Sequence, residues 1–156
     1  MAERNRAKDI AAKYVTADWF RAIAPKVFPP MHRAMARISV GRCHPGATFV
    51  LTTTGAKSGQ ERKTPLVSIV RSDGSFLVVG SIFAGENHPS WSWNLLAHPE
   101  ARVLYRGEDR PVLAALLEGD ERARAWQEAL DHWPAWQDYT ELTDRTFRIF
   151  HLVPVD

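Results

Sequence analysis

"PLVSIVRSDGSFLVVGS", residues 65–81, sets two apolar runs on either side of an Asp73-Gly74 pair. Runs rich in β-branched residues joined by a short Asp-Gly segment are a strong local signature of a β-hairpin, because glycine accepts the positive φ that such turns demand. Both runs are almost continuously apolar. A strand without a polar face is covered on both sides, which places this hairpin inside a barrel or beneath helices.

The pattern extends in both directions. Upstream, "TFVLTTT" from Thr48 reads as a strand; downstream, "ARVLYR" and "RPVLAALLE" flank "GED", a second hairpin with Gly107 at its turn, and "TFRIFHLVPV" closes the chain as a last strand. Helices interrupt the series. Pro89 and Pro99 bound one short helix in "HPSWSWNLLAHP". "GDERARAWQEALDHW" predicts a longer one, with Asp120 as N-cap and Ala123, Trp126, Leu130 and Trp133 recurring every three or four residues. "AWQDYTELT" adds a further turn or two. About six strands with interspersed short helices, and no regular β-α-β alternation, indicate an α+β chain that is predominantly antiparallel β, folded as a small barrel.

The chain has 156 residues, 45% hydrophobic and 24% charged, the composition of a globular protein with one well-buried core. Its single cysteine, Cys43, has no partner for an internal disulfide or a zinc or redox pair. No apolar run has the length of a secretory core or a spanning helix, so the expected location is the cytoplasm. The net charge of +2 conceals an asymmetry: residues 1–42 hold nine Lys/Arg against three Asp/Glu, while the rest of the chain is net acidic. This divides the chain into a basic leader, 1–42, and a β-rich body, 43–156. In the leader, Ile10, Tyr14, Trp19, Phe20, Ile23 and Val27 share one side of a helix that "PKVFPP" breaks. Two readings stay open for it: a cover over the body's core, or an interfacial anchor through residues 1–30 at the inner face of the plasma membrane. Nucleic acid is not an expected partner, since the leader's aromatics do not form a recognisable RNA-binding motif.

The chemistry centres on "TTTGAKSGQERKTP", residues 52–65. It is not a Walker loop, because Lys57 precedes Gly59 and no Gly-Lys-Ser/Thr follows, and the chain contains no G-x-G-x-x-G. Gly55 and Gly59 permit close backbone approach and positive φ, while Lys57, Arg62 and Lys63 concentrate cationic charge around them. Spacing alone leaves two readings, a solvated hairpin tip and an anion cradle. The six histidines are scattered, and no H-E-x-x-H or H-x-H spacing indicates a metal.

Three segments, "LTTTGAKSGQERKTPL", "HPSWSWNLLAHPEARV" and "WPAWQDYTELTDRTFRIFHLVPV", together resemble the deazaflavin-dependent nitroreductase family of actinobacterial, coenzyme F420-using reductases. The resemblance spans roughly residues 31–155. It implies a split β-barrel of the flavin-reductase, FMN-binding type and hydride transfer from reduced F420 to a quinone, enone or nitroaromatic. It further implies that Lys57 and Arg62 hold the phosphate and acidic tail of F420, with Gly55, Ser58 and Lys63 shaping the loop. Pro65, Leu66, Trp91 and Asn94 then lie toward the ring and ribityl side. Ser81 and Tyr139 take the catalytic positions, hydrogen-bonding the acceptor, and Phe83, Trp133, Trp136 and Tyr139 wall the acceptor pocket; packing in the barrel explains the three helix aromatics equally well. After Ser81 the family commonly carries a small, glycine-rich or basic stretch where this chain has "IFAG". An FMN-binding variant and a non-catalytic carrier of cofactor or lipid are the alternatives on the same barrel. The cofactor performs the redox chemistry, so no catalytic triad or metal is required.

Overall fold

Val67 and Ile69 are separated only by the buried Ser68, yet they belong to strands at opposite edges of the sheet. A computed structural model of the chain describes residues 48–81 and 86–155. Its seven antiparallel strands are β1 (Thr48–Thr54), β2 (Glu61–Val67), β3 (Ile69–Val70), β4 (Phe76–Val79), β5 (Glu100–Tyr105), β6 (Glu108–Leu116) and β7 (Ile149–Pro154), hydrogen-bonded in the order β2-β1-β5-β6-β7-β4-β3. Two residues span at most about 7 Å of chain. The first and last strands of the ladder are therefore neighbours in space, and the sheet curls into a split barrel. The run "PLVSIV", read as one strand, is thus two, divided at Ser68 so that each half pairs with a different neighbour.

Period-two alternation sorts the side chains onto two apolar faces. Phe76 and Val78 of β4, with Phe150 and Leu152 of β7, face the barrel interior beside Phe49, Leu51, Val103 and Val112. Leu77, Val79 and Ile149 face outward into a second cluster. This is why the strands read as continuously apolar. Helix α1 (Ser90–Ala97) inserts Trp91 and Leu95 into the interior cluster, whereas α2 (Gly119–His132) and α3 (Ala135–Thr140) cover the outer one with Ala125, Ala129, Trp136 and Tyr139. Helix α2 starts one residue before the expected cap: Glu118 occupies the N-cap position, and Asp120 lies in the first turn, where its charge faces the positive helix end.

The two hairpins form with different turns from those expected. Asp73 and Gly74 lie in a five-residue loop, residues 71–75, in which the Asp73 carboxylate accepts from the Ser75 N–H and hydroxyl at 2.9 and 2.6 Å, and Gly74 has φ +82°. The second hairpin turns at Arg106-Gly107, both with positive φ, as a two-residue connection of this twist requires; Glu108 and Asp109 belong to β6. Pro65 is accommodated because β2 is an edge strand. The leader, Cys43 and Phe83 lie outside the described residues.

Candidate functional site

The β1–β2 connection, residues 55–60, is a short loop closed on itself. The Gly55 N–H donates to the Gln60 carbonyl and the Gly59 N–H to the Gly55 carbonyl, both at 2.8 Å. Ser58 accepts the Gln60 N–H on Oγ, so its hydroxyl shapes the turn. At Gly55 an added Cβ would stand 2.5 Å from Ser58 Oγ, and Gly59 has φ +65° with open space around it. Both glycines are dictated by this geometry, the first by close approach and the second by backbone angle.

Helix α1 fixes the loop from outside. Asn94, buried within the fold, accepts the Ala56 N–H on Oδ1 at 2.9 Å and donates from Nδ2 to Thr53 Oγ1 at 3.0 Å. One amide therefore ties the helix, the end of β1 and the loop together. Trp91, one turn earlier, is 5% exposed and meets Phe150 edge-on at 5.8 Å.

The strand pleat separates the cations that appear together in the sequence. Arg62 pairs with Thr53 on the barrel-interior face of β1–β2, whereas Lys63 pairs with Thr52 on the outer face and makes an exposed ion pair with Glu61 at 3.3 Å. Lys57 and Arg62 are exposed, and neither makes an ion pair among the described residues. Pro65 and Leu66 likewise point to opposite faces, and only Leu66 packs on the interior cluster.

A family model described as "F420H(2)-dependent quinone reductase" matches residues 28–154. The chain belongs to the F420H(2)-dependent quinone reductase family. This reductase is similar to Rv3178 of Mycobacterium tuberculosis, provisionally named an F420H(2)-dependent quinone reductase, with 29% identity over 76% of this chain and 98% of that protein. Among solved structures it resembles an F420-H2 dependent reductase, FDR-A, with 36% identity, a TM-score of 0.61, and coverage of 68% of this chain and 93% of the other. A structure described as a domain-swapped dimer superposes with a TM-score of 0.63 at 31% identity, covering 79% and 96% of the two chains. The expected split barrel, oxidoreductase activity and F420 as cofactor hold. The resemblance holds at the level of an F420-dependent reductase family; the matching family carries the quinone-reductase description and not the word nitroreductase.

In the reductase, Ser81 follows β4 and is half-buried. Its surroundings hold residues that sequence reasoning did not single out. The Arg145 guanidinium donates to the Gly80 and Ser81 carbonyls at 2.8 and 2.7 Å, and approaches His88 Nδ1 at 3.2 Å. Because arginine is a donor only, Nδ1 is the accepting nitrogen of His88. Burial, then the charges of Arg148 and Arg145, hold His88 below the ordinary histidine range. Arg148 lies over the Trp93 ring at 3.8 Å. Arg145 sits in the family-like segment before the last strand, but a single arginine in a loop has no spacing that announces its target 64 residues away. The remaining aromatics are distributed over the other face: Trp136 and Tyr139 are 6% and 2% exposed in the outer cluster, and the partly buried Trp133 packs against it.

Proposed function

We propose that this reductase holds the phosphate and acidic tail of F420 at Lys57 and Arg62 and reduces a quinone over the neighbouring end of the barrel. The observation that carries the reading is exposed cationic charge on a rigid loop. Two side chains without carboxylate partners among the described residues, Lys57 within the turn and Arg62 at the start of β2, sit at a connection that Asn94, Gly55 and Gly59 lock in place. A polyanionic tail is the electrostatic complement of that arrangement. The donor set therefore suits the cofactor.

Bound F420H2 supplies a hydride, and with one proton from solvent a quinone becomes its hydroquinone. The chain's own residues bind and orient. Arg62 is suited to a bidentate grip on phosphate or carboxylate, and Lys57 acts as a point charge. Gly55, Ser58 and Asn94 keep the loop in register without engaging the cations; Leu66 and Trp91 floor the site from the interior cluster. Ser81 presents a hydroxyl that hydrogen-bonds the acceptor oxygen as negative charge develops on it. Trp136 and Tyr139 support that end of the barrel from the outer cluster.

The test is an anaerobic titration with F420H2, followed by turnover on adding menadione. In Lys57→Ala/Arg62→Ala, affinity should fall by about 1–3 kcal/mol, roughly fivefold to 150-fold, since exposed charge-assisted bonds are screened. The loss should shrink as salt rises. Unchanged affinity at low salt would remove the loop from the cofactor site.

A further inference from the structure

Ser81 is held in place by a residue 64 positions away. In a regular strand successive carbonyls point to opposite sides, so one guanidinium reaches two consecutive carbonyls only where the chain has turned. Arg145 does this at Gly80 and Ser81, with Nη1 donating to the first carbonyl at 2.8 Å and Nη2 to the second at 2.7 Å. The departure from β4 is fixed from a second side as well, because the Gly80 N–H donates to the Arg148 carbonyl at 2.8 Å. At Gly80 an added Cβ would press on Pro89 Cγ at 3.3 Å, so the turn packs directly against the entry to α1. The guanidinium itself is steadied by the Phe147 ring beneath it, 4.9 Å from the centroid, and by His88 Nδ1 at 3.2 Å.

We infer that Arg145 is a positioning residue that sets the direction of the Ser81 hydroxyl by clamping the two carbonyls of the turn that carries it. This rests on the reading of Ser81 as the group that meets the acceptor. A planar fork suits such a clamp, because its donors are fixed relative to one another and holding one carbonyl places the other. Lysine, a single ammonium on a flexible stem, cannot impose that relation. Burial, and then the charge of Arg148, lower the affinity of Arg145 for its proton, yet arginine remains charged throughout the working range. Its own charge is therefore constant, and its role is geometric.

A double-mutant cycle on the full chain tests this, with menadione turnover and oxidised-F420 fluorescence titration as separate readouts. Ser81→Ala should lower kcat with F420 affinity held within about twofold, because the hydroxyl acts on the developing charge. Arg145→Met should lower kcat by about tenfold to a hundredfold, the scale of a small misplacement, again with little change in F420 affinity. Arg145→Lys should fall between. The double variant should be no slower than the slower single variant, since both act through one hydroxyl. Losses that multiply in the double variant would overturn the proposal while leaving the quinone-reductase reading intact. Full kcat in Ser81→Ala would remove Ser81, and Arg145 with it. Absence of menadione reduction by the unaltered chain would count against the function itself. Should Arg145→Met fail to fold, Arg145→Lys decides, because it keeps the charge and loses only the fork.

Discussion

At the scale of single residues, Asn94 shows how a polar side chain serves a site it need not touch. The amide satisfies one backbone donor of the cationic loop and one threonine hydroxyl of β1, at 2.9 and 3.0 Å. Replacing it by leucine strands the buried Thr53 hydroxyl, at a cost of about 1–3 kcal/mol, and frees the part-buried Ala56 N–H from its tether. Asn94→Leu should therefore lower the melting temperature by several degrees and weaken F420 binding, even though Lys57 and Arg62 are unchanged. Asn94→Asp keeps the acceptor for the Ala56 N–H and should retain most of the affinity. Equal affinity in the leucine variant and the parent would mean that the loop holds its shape without the helix. Calorimetry with parallel fluorescence titration separates the two effects.

At the scale of elements, the β3–β4 hairpin is pinned to α2 and β7 by one polar network. Arg71 grips Glu128 through both oxygens, with the shortest contact at 2.8 Å, and the His151 ring lies 2.8 Å from Ser75 Oγ, whose proton is directed at Asp73. The same His151 Nε2 also lies 3.5 Å from Arg71 Nη1, so the ring stands between the serine and the guanidinium. Burial, then the Arg71 guanidinium, depress the affinity of His151 for a second proton; Asp73, Glu128 and Glu121 oppose this only in part. The unfolded chain thus takes up that proton at higher pH than the fold does. Stability should be fully present above about pH 6.5 and fall as pH drops below it, with His88 contributing in the same direction. Melting curves at about pH 7.5 and about pH 5.5, either side of that value, should differ by a few degrees, and His151→Gln should shrink the gap. A gap of the same size in that variant would place the effect elsewhere. The same hairpin shows what the sequence made legible. Asp73-Gly74 and Gly107 announced turns through backbone chemistry, and the apolar runs announced strands, because both are local. The division at Ser68 and the reach of Arg145 to Ser81 were not legible, since each depends on which distant strand ends up alongside. The separation of Arg62 from Lys63 lay between these cases. Alternation was implicit once β2 was known to be a strand, but not which face met the barrel interior.

At the scale of the whole molecule, one curled sheet carries two cores with different duties. The interior cluster contains Trp91 and Leu95 of α1, the helix whose Asn94 holds the cationic loop; the outer cluster contains Leu77 and the covering faces of α2 and α3. Damage to either should destabilise the barrel by a similar amount, but only the first is linked to the loop. Leu95 and Leu77 make a matched pair, since they are 2% and 0% exposed and truncation to alanine removes the same atoms. Each should cost about 2–5 kcal/mol, with the spread set by how far the surroundings collapse into the cavity. Measured well below both melting temperatures, Leu95→Ala should weaken F420 binding severalfold, because a loosened α1 no longer fixes the Ala56 N–H. Leu77→Ala should leave affinity near that of the parent despite its comparable loss of stability. The opposite ranking would mean that the cofactor end of the barrel depends on α2 and α3, and would detach the helix bearing Asn94 from the binding site.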